Sequence, residues 1–521
     1  MTTSELWRWS AVDLADAIRL GTISSVEAVR SCLDRIAAVN PAVNAVVDVL
    51  ADEALTAARD ADAARAGGRE LGLLHGVPVT VKVNVDQRGR ATTNGVVAFR
   101  DVIATEDSPP VANFRKAGAV IVGRTNTPAF SHRWFTNNDL HGATLNPWNR
   151  ERTPGGSSGG AAAAVASGMG ALAHGNDFGG SIRYPAYACG VVGLRPTPGR
   201  VPTFNPSAKA ERPIVAQMMA VQGPLARRVA DVRLGLAALA AADARDPLWV
   251  PAPLTGAPIE RPINVAMVPD PFGTADPAVS AAVRAAGSAL SQAGWKVTEI
   301  APPRLREAAD IWHKLVTNEE KRGLVPAIRA YGDDKSRRNI DAHLRYAPSL
   351  DADGILTAFE TRLSLIRDWQ LFLSRYPVLI MPVSDQLPFL DDLDMADDAT
   401  VTRLLDSQRC LLATPALGFP SVSVPTGLAE SNIPVGVQVV AGRFREDLCL
   451  DAAEVIEAQP CGLWRVHPST PPPASGTFPC ARNAVSRPDR SAAKTACRRV
   501  AAFRASFLAG CRHRWPSAAA R

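Results

Sequence analysis

The fold class predicted for this 521-residue chain is α/β, a single layered body with a largely buried sheet. Three observations predict it. Val77, Val79, Val81, Val83 and Val85 alternate with Pro78, Thr80, Lys82, Asn84 and Asp86, which is the period of a strand with one apolar face. Beyond that run, helix-like and strand-like segments take turns along the chain. No internal repeat and no Pro/Gly/Ser-rich linker divides this body.

Taken in order, Ser10 precedes an amphipathic run that ends at Gly21. Ser24 with Glu27 has the S-x-x-E form of a capping box and opens a helix expected to stop near Asn40-Pro41. An Ala-rich helix is expected over 49–66. Strands are expected over 119–123, 263–268, 378–381, 421–424 and 435–440, and helices over 227–242, 277–293 and 447–458.

Charge separates a body from a tail. Residues 461–521 hold eleven Lys or Arg and the single acid Asp489, so residues 1–460 carry 46 bases against 50 acids, a net of −4. The chain's overall +6 belongs to the tail, and the body gives no reason to expect a nucleic-acid partner. The tail, Pro/Arg/Ala-rich with seven prolines, is expected to be disordered or the product of a shifted reading frame. Two domains follow: 1–460 as the folded body and 461–521 as the tail. The N-terminus lacks a cationic start followed by an apolar core, and the longest apolar stretch, 161–173, is too short to span a bilayer. A soluble cytoplasmic protein without membrane contact is the expectation. Cys32, Cys189, Cys410 and Cys449 in the body show no C-x-x-C spacing and no accompanying His pair, so thiols rather than metal ligands are expected.

The stretch TPGGSSGG, residues 153–160, has the composition of a flexible linker. Its surroundings argue otherwise. Residues 161–173 suit an apolar helix buried against a sheet, and glycines leading into such a helix present free N–H groups at its positive end. A second glycine-serine turn, DFGGSIR at 177–183, follows seventeen residues after Gly160. Residues 156–160 also satisfy G-x-S-x-G, the nucleophile elbow, but that motif needs a preceding hydrophobic strand and here HGATLNPWNRERTP precedes it. A phosphate-binding P-loop would need Gly-Lys-Ser/Thr, and no lysine is present. Lys82, mid-strand among apolar and small residues, is a candidate base for a serine nucleophile, because desolvation disfavours the ammonium. A lysine on a solvated strand face is the alternative.

The stretches GLLHGVPVTVKVNVD, VANFRKAGAVIVGRTNTPAF, LNPWNRERTPGGSSGGAAAAVASG, HGNDFGGSIRYPAYACGVVGLRPTPGRVP, PALGFPSVSVPTG and PVGVQVVAG together resemble the amidase signature family, from about residue 6 to about 458. The resemblance implies a single large mixed β-sheet flanked by helices on both faces. It implies Ser181 as nucleophile, Ser157 as bridging serine with a cis Gly156–Ser157 bond, and Lys82 as base. The backbone N–H groups of Phe178, Gly179 and Gly180 would face the oxyanion, the glycines because a side chain would block the substrate. Gly156, Ser158, Asp177 and Arg183 would support this turn, and no metal or organic cofactor is needed. The chain departs from the family at Val83, often Asp, and at Ala129, often Glu, which bears on the surroundings of the lysine.

The implied activity is hydrolysis of a small-molecule carboxamide through an acyl-enzyme, with esters and carbamates open to the same chemistry. Two alternatives stand beside it. A glutamine-amidase component of a tRNA amidotransferase is one, although TFNPSAKAERPIVAQMMAVQGP lacks the serine- and aspartate-bearing stretch expected there. A catalytically silent scaffold of the same fold is the other. Trp134, Phe135, Phe204 and Trp312 are candidate pocket residues, or core packing, and a homodimer is kept as an expectation.

Overall fold

The structure, a computed structural model, describes residues 3–459; the tail lies outside the described residues. Eleven strands form one mixed sheet: β1 (Val46–Val49), β2 (Pro78–Lys82), β3 (Val120–Thr125), β4 (Leu172–Asp177), β5 (Val192–Arg195), β6 (Val221–Ala226), β7 (Asn264–Met267), β8 (Lys296–Glu299), β9 (Val378–Pro382), β10 (Ser421–Ala429) and β11 (Ile433–Ala441). Their order is β1-β3-β2-β4-β6-β5-β10-β11-β9-β7-β8. β2 runs parallel to both β3 and β4, β7 runs parallel to β8 and β9, and the remaining pairs are antiparallel.

The two sheet faces can be read from β3. Val120 and Val122 pack with the helices Ser25–Val43, Ala51–Ala66 and Gly159–Ala166, whereas Ile121 between them joins the larger core with helices Val229–Leu239 and Pro277–Gln292. Successive strand residues point to opposite faces, so helices cover both. β2 is buried at all five positions, which corrects the expectation of one apolar face. Val79 and Val81 enter the larger core, leaving Thr80 and Lys82 on the face that carries helix Gly159–Ala166. A central parallel strand is covered on both sides, and its alternation here separates apolar from chemical residues rather than inside from outside.

Local capping acts where it was expected. Ser10 caps helix Ala11–Leu20, which stops at Gly21 in the left-handed region, and Ser24 and Glu27 form the reciprocal capping box. The second helix nevertheless runs through Pro41 to Val43. It ends at Asn44, while the Asn40 side chain accepts the N–H groups of Ala45 and Val46. The helix after the glycines is Gly159–Ala166, shorter than expected, because residues 172 and 173 belong to β4. Helices Leu305–Glu320, Leu324–Tyr331, Asp334–Tyr346 and Ala352–Arg375 fill the interval between β8 and β9, where no element is expected from the sequence.

The body cysteines are all buried thiols. No helix among the described residues is long and apolar enough to cross a membrane.

Candidate active site

Parallel neighbours β2 and β4 (Val79 beside Leu172, Thr80 beside Ala173) deliver Lys82 and Asp177 to the same, carboxyl-terminal end of the sheet, where α/β sheets form their clefts. The glycine stretch enters from the side. Residues 153–160 are all buried, Gly155 has φ +79°, and the Gly156–Ser157 peptide is cis. A Cβ on Gly156 would stand 2.3 Å from the Arg133 carbonyl oxygen, one on Gly159 2.3 Å from Thr136 Oγ1, and one on Gly160 2.4 Å from the Asn126 nitrogen. Close packing on every side rules out the linker reading.

This placement puts three acceptors around one buried amine. Lys82 Nζ lies 2.7 Å from Ser157 Oγ, 2.8 Å from Asn176 Oδ1 and 3.1 Å from Ser158 Oγ. Lys82 has no exposed surface, and burial holds its pKa well below the ordinary lysine value, with the carboxylate of Asp177 opposing part of that shift. A neutral amine has two protons and one lone pair. Asn176 Oδ1 can only accept, and the Ser158 hydroxyl can donate to the Asn176 carbonyl at 3.4 Å, so these two are able to take the amine protons. In that arrangement a neutral amine would keep its lone pair for the Ser157 hydroxyl.

Ser181 follows on the second turn. The Ser158 N–H donates to the Ser181 carbonyl at 3.1 Å, and Ser157 and Ser181 line the same cavity. Asp177 shapes the turn. Its Oδ1 accepts from Gly180 N–H (3.0 Å), Arg183 Nη2 (3.0 Å) and Arg195 Nη1 (3.2 Å), and its Oδ2 from Ile182 N–H (3.2 Å) and Arg183 Nε (3.0 Å). Burial alone would raise this carboxyl's pKa, but the two guanidiniums and these donors hold it far below the usual carboxylate range. Arg183 also donates to the Leu411 carbonyl, Thr414 Oγ1 and Gln438 Oε1, tying the turn to helix Arg409–Leu417 and β11.

One expectation about the turn needs correction, and another gains a second reason. The Gly180 N–H is taken by Asp177 and does not face the cavity freely, whereas no acceptor within the described residues engages the N–H groups of Phe178, Gly179 and Ser181. The glycines are also demanded from behind. A Cβ on Gly179 would meet Trp312 Cζ2 at 2.6 Å, and one on Gly180, at φ +96°, would meet Leu411 Cδ2 at 2.2 Å.

The cavity above the serines measures about 970 Å³. Phe178, Phe204 and Phe130 line it, with Asn84, Asn176 and Gln222 among its polar groups. Of the four aromatic candidates, only Phe204 belongs to this lining. Trp134 and Trp312 lie behind the turn, where their indole N–H groups donate to the carbonyls of Gly179 (2.9 Å) and Phe178 (2.8 Å). Phe135 is buried against Phe389, its ring stacked at 6.0 Å. Asn176, Arg195 and Gln222 were missed by sequence reasoning. Gln222 stands opposite Asn176 on β6 and accepts from His174 Nε2 at 2.8 Å. Burial lowers the His174 pKa to about 4 and keeps that imidazole neutral, the bond to Gln222 opposing the shift. Among the described residues no group of His, Cys, Asp and Glu side chains is arranged to hold a metal ion.

The amidase family profile matches residues 27–450. The chain belongs to the amidase family. It is 48% identical over 455 residues to the indoleacetamide hydrolase of Bradyrhizobium diazoefficiens, covering 87% of this chain and 86% of that protein. It is 32% identical over 469 residues to a component of the glutamyl-tRNA(Gln) amidotransferase of a Picosynechococcus species, covering 83% of this chain and 94% of that one. Among solved structures, 6-aminohexanoate cyclic dimer hydrolase superposes with a TM-score of 0.76 at 28% identity, over 89% of this chain and 99% of the other. This amidase is therefore a hydrolase of carboxamide C–N bonds on the large mixed sheet that the resemblance implied.

Proposed function

We propose that this amidase hydrolyses a small arylacetamide, of the kind named by its indoleacetamide hydrolase relatives, through an acyl-enzyme on Ser181. The observation that carries the reading is the geometry at Lys82: a buried amine with Ser157 Oγ at 2.7 Å, Asn176 Oδ1 at 2.8 Å and Ser158 Oγ at 3.1 Å, so that a neutral amine can give its two protons to Asn176 and Ser158 and turn its lone pair to Ser157. Lys82 takes the Ser157 proton as Ser157 takes that of Ser181, and the Ser181 oxygen bonds to the carboxamide carbon. The carbonyl electrons move onto oxygen, beside the free N–H groups of the turn; one such donor is worth about 3–4 kcal/mol. The C–N bond then breaks as the proton returns through Ser157 to the departing nitrogen, which leaves as ammonia. Water, deprotonated along the same path, attacks the ester carbon; the bond to the Ser181 oxygen breaks, that oxygen takes the proton back through Ser157, and the carboxylate leaves.

The cavity supports an aromatic acyl group. Its volume falls in the range of about 300–1,000 Å³ typical of small-molecule sites, and Phe130, Phe178 and Phe204 offer flat apolar walls. Aryl esters and carbamates pass through the same acyl-enzyme and should turn over as well. The test combines turnover of indole-3-acetamide with a fluorophosphonate serine probe mapped by mass spectrometry. Labelling at Ser181, lost in Lys82→Ala, is expected. Labelling at Ser158 would replace the proposed relay with an elbow nucleophile, and folded protein that takes no label would leave a binding scaffold.

A further inference from the structure

The oxyanion donors are backbone groups, so something must fix the rotation of their peptide planes. The Phe178–Gly179 peptide is trans, cis bonds among the described residues occurring only at Gly156–Ser157 and Arg261–Pro262. In a trans unit the carbonyl oxygen and the N–H hydrogen point in opposite directions. The Phe178 carbonyl accepts the Trp312 indole N–H at 2.8 Å, so the Gly179 N–H of the same unit points away from Trp312. That N–H has no acceptor within the described residues, and Phe178 lines the cavity while Trp312 does not.

The next peptide is held differently. Its carbonyl, on Gly179, accepts the Trp134 indole N–H at 2.9 Å, and its N–H, on Gly180, donates to Asp177 Oδ1 at 3.0 Å. Secured at both ends, it acts as a fixed post beside the first. The indole of Trp312 also occupies the space that the missing side chain of Gly179 leaves, since a Cβ there would lie 2.6 Å from its Cζ2. It packs edge-on to the Phe178 ring, with centroids 5.9 Å apart.

We propose that Trp312 is a positioning residue for catalysis: its indole N–H, by holding the Phe178 carbonyl, aims the Gly179 N–H at the oxyanion. The inference rests on the reading of Ser181 as nucleophile. Trp312 sits on helix Leu305–Glu320, more than a hundred residues from the motifs that mark the site, and is 5% exposed.

The variant Trp312→Phe keeps an aromatic ring and removes the donor. Trp369→Phe is the control, because Trp369 is also buried and donates its indole N–H to a carbonyl, that of Pro303, at 2.9 Å. For indole-3-acetamide, Trp312→Phe should lower kcat about tenfold or more while KM stays within about twofold, as expected when a donor acting on the transition state is misaimed. Affinity for indole-3-acetaldehyde, which adds reversibly to a serine oxygen, should fall by the same factor, and affinity for the product indole-3-acetate should not. Titration of the probe-reactive serine counts folded sites, so partial unfolding is not read as lost kcat. If Trp312→Phe cannot be obtained folded, Gly179→Ala, which displaces the indole through its Cβ, should show the same split. Trp369→Phe should be unchanged in kcat. Full kcat and full aldehyde affinity in Trp312→Phe, in an enzyme that Ser181→Ala inactivates, would overturn the proposal alone. A Ser181→Ala enzyme that still turns over would overturn the nucleophile reading and this inference with it.

Discussion

Replacing Asp177 by asparagine removes the carboxylate that stands between two guanidiniums without exposed surface, those of Arg183 and Arg195. The five donors around Asp177 let the loss be sized. Asparagine can keep one acceptor oxygen, and the less damaging orientation keeps the Oδ1 position, which serves Gly180, Arg183 and Arg195. The amide nitrogen then faces Ile182 N–H and Arg183 Nε, two donors with nothing to receive them. At about 1.5–3 kcal/mol for each bond involving a charged group, the loss is about 3–6 kcal/mol. Breaking a buried ion pair by removing one partner costs about 3–5 kcal/mol, which agrees. Urea unfolding of wild type and Asp177→Asn at neutral pH reads this difference. A loss below about 1 kcal/mol would refute the assignment of the turn's rigidity to this carboxylate. The pH dependence supplies a second reading. The folded carboxyl is held far below its unfolded pKa of about 3.9, so its contribution is present above that pH and is lost as pH falls. Asp177→Asn should therefore lose less stability on acidification than wild type. Asp177 also raises the Lys82 pKa, so the acid limb of kcat/KM should move to lower pH in the variant.

Lys82→Met keeps the length of the side chain and removes the base; amide turnover should fall by at least about 10²-fold with the fold retained, seen as unchanged far-UV circular dichroism, and near-normal turnover would exclude Lys82 as the base. Gly160→Ala places a Cβ 2.4 Å from the Asn126 nitrogen and 2.9 Å from the Ala45 carbonyl oxygen, both backbone, and should destabilise by about 1–3 kcal/mol or more in urea unfolding. Glu457, which accepts the Val229 N–H at 2.9 Å, is raised by burial to about 7. Its contribution is fully present below the unfolded pKa of about 4.3 and is lost as pH rises towards 7, so thermal unfolding of wild type should weaken across that window relative to Glu457→Gln; parallel curves would contradict this.

What was legible in the sequence was local or motif-borne. Ser10, Ser24 and Glu27 announce their caps because the partners lie three residues away. Lys82, Ser157 and Ser181 were singled out by their surroundings and by resemblance, and the structure brings them to one end of β2 and β4. β4 was obscured because an alanine-rich helix runs almost directly into it, and an apolar stretch shows no change of period until it has ended. Asn176 gave no signal because its role comes from a lysine 94 residues earlier. Trp312 was visible only as an aromatic residue, since nothing in its own helix tells that its N–H reaches a carbonyl 134 residues away. Gly179 was rightly expected to need no side chain, but the obstacle is that same indole.

The Arg183 guanidinium reaches Thr414 and Gln438, 231 and 255 residues further along the chain. A polypeptide still being synthesised already contains both serines and the lysine once residue 181 has emerged, yet it lacks the groups that seat the turn between them. The last of those partners, Gln438, arrives only with β11, so the turn that carries Ser181 is braced from both ends of the body's sequence.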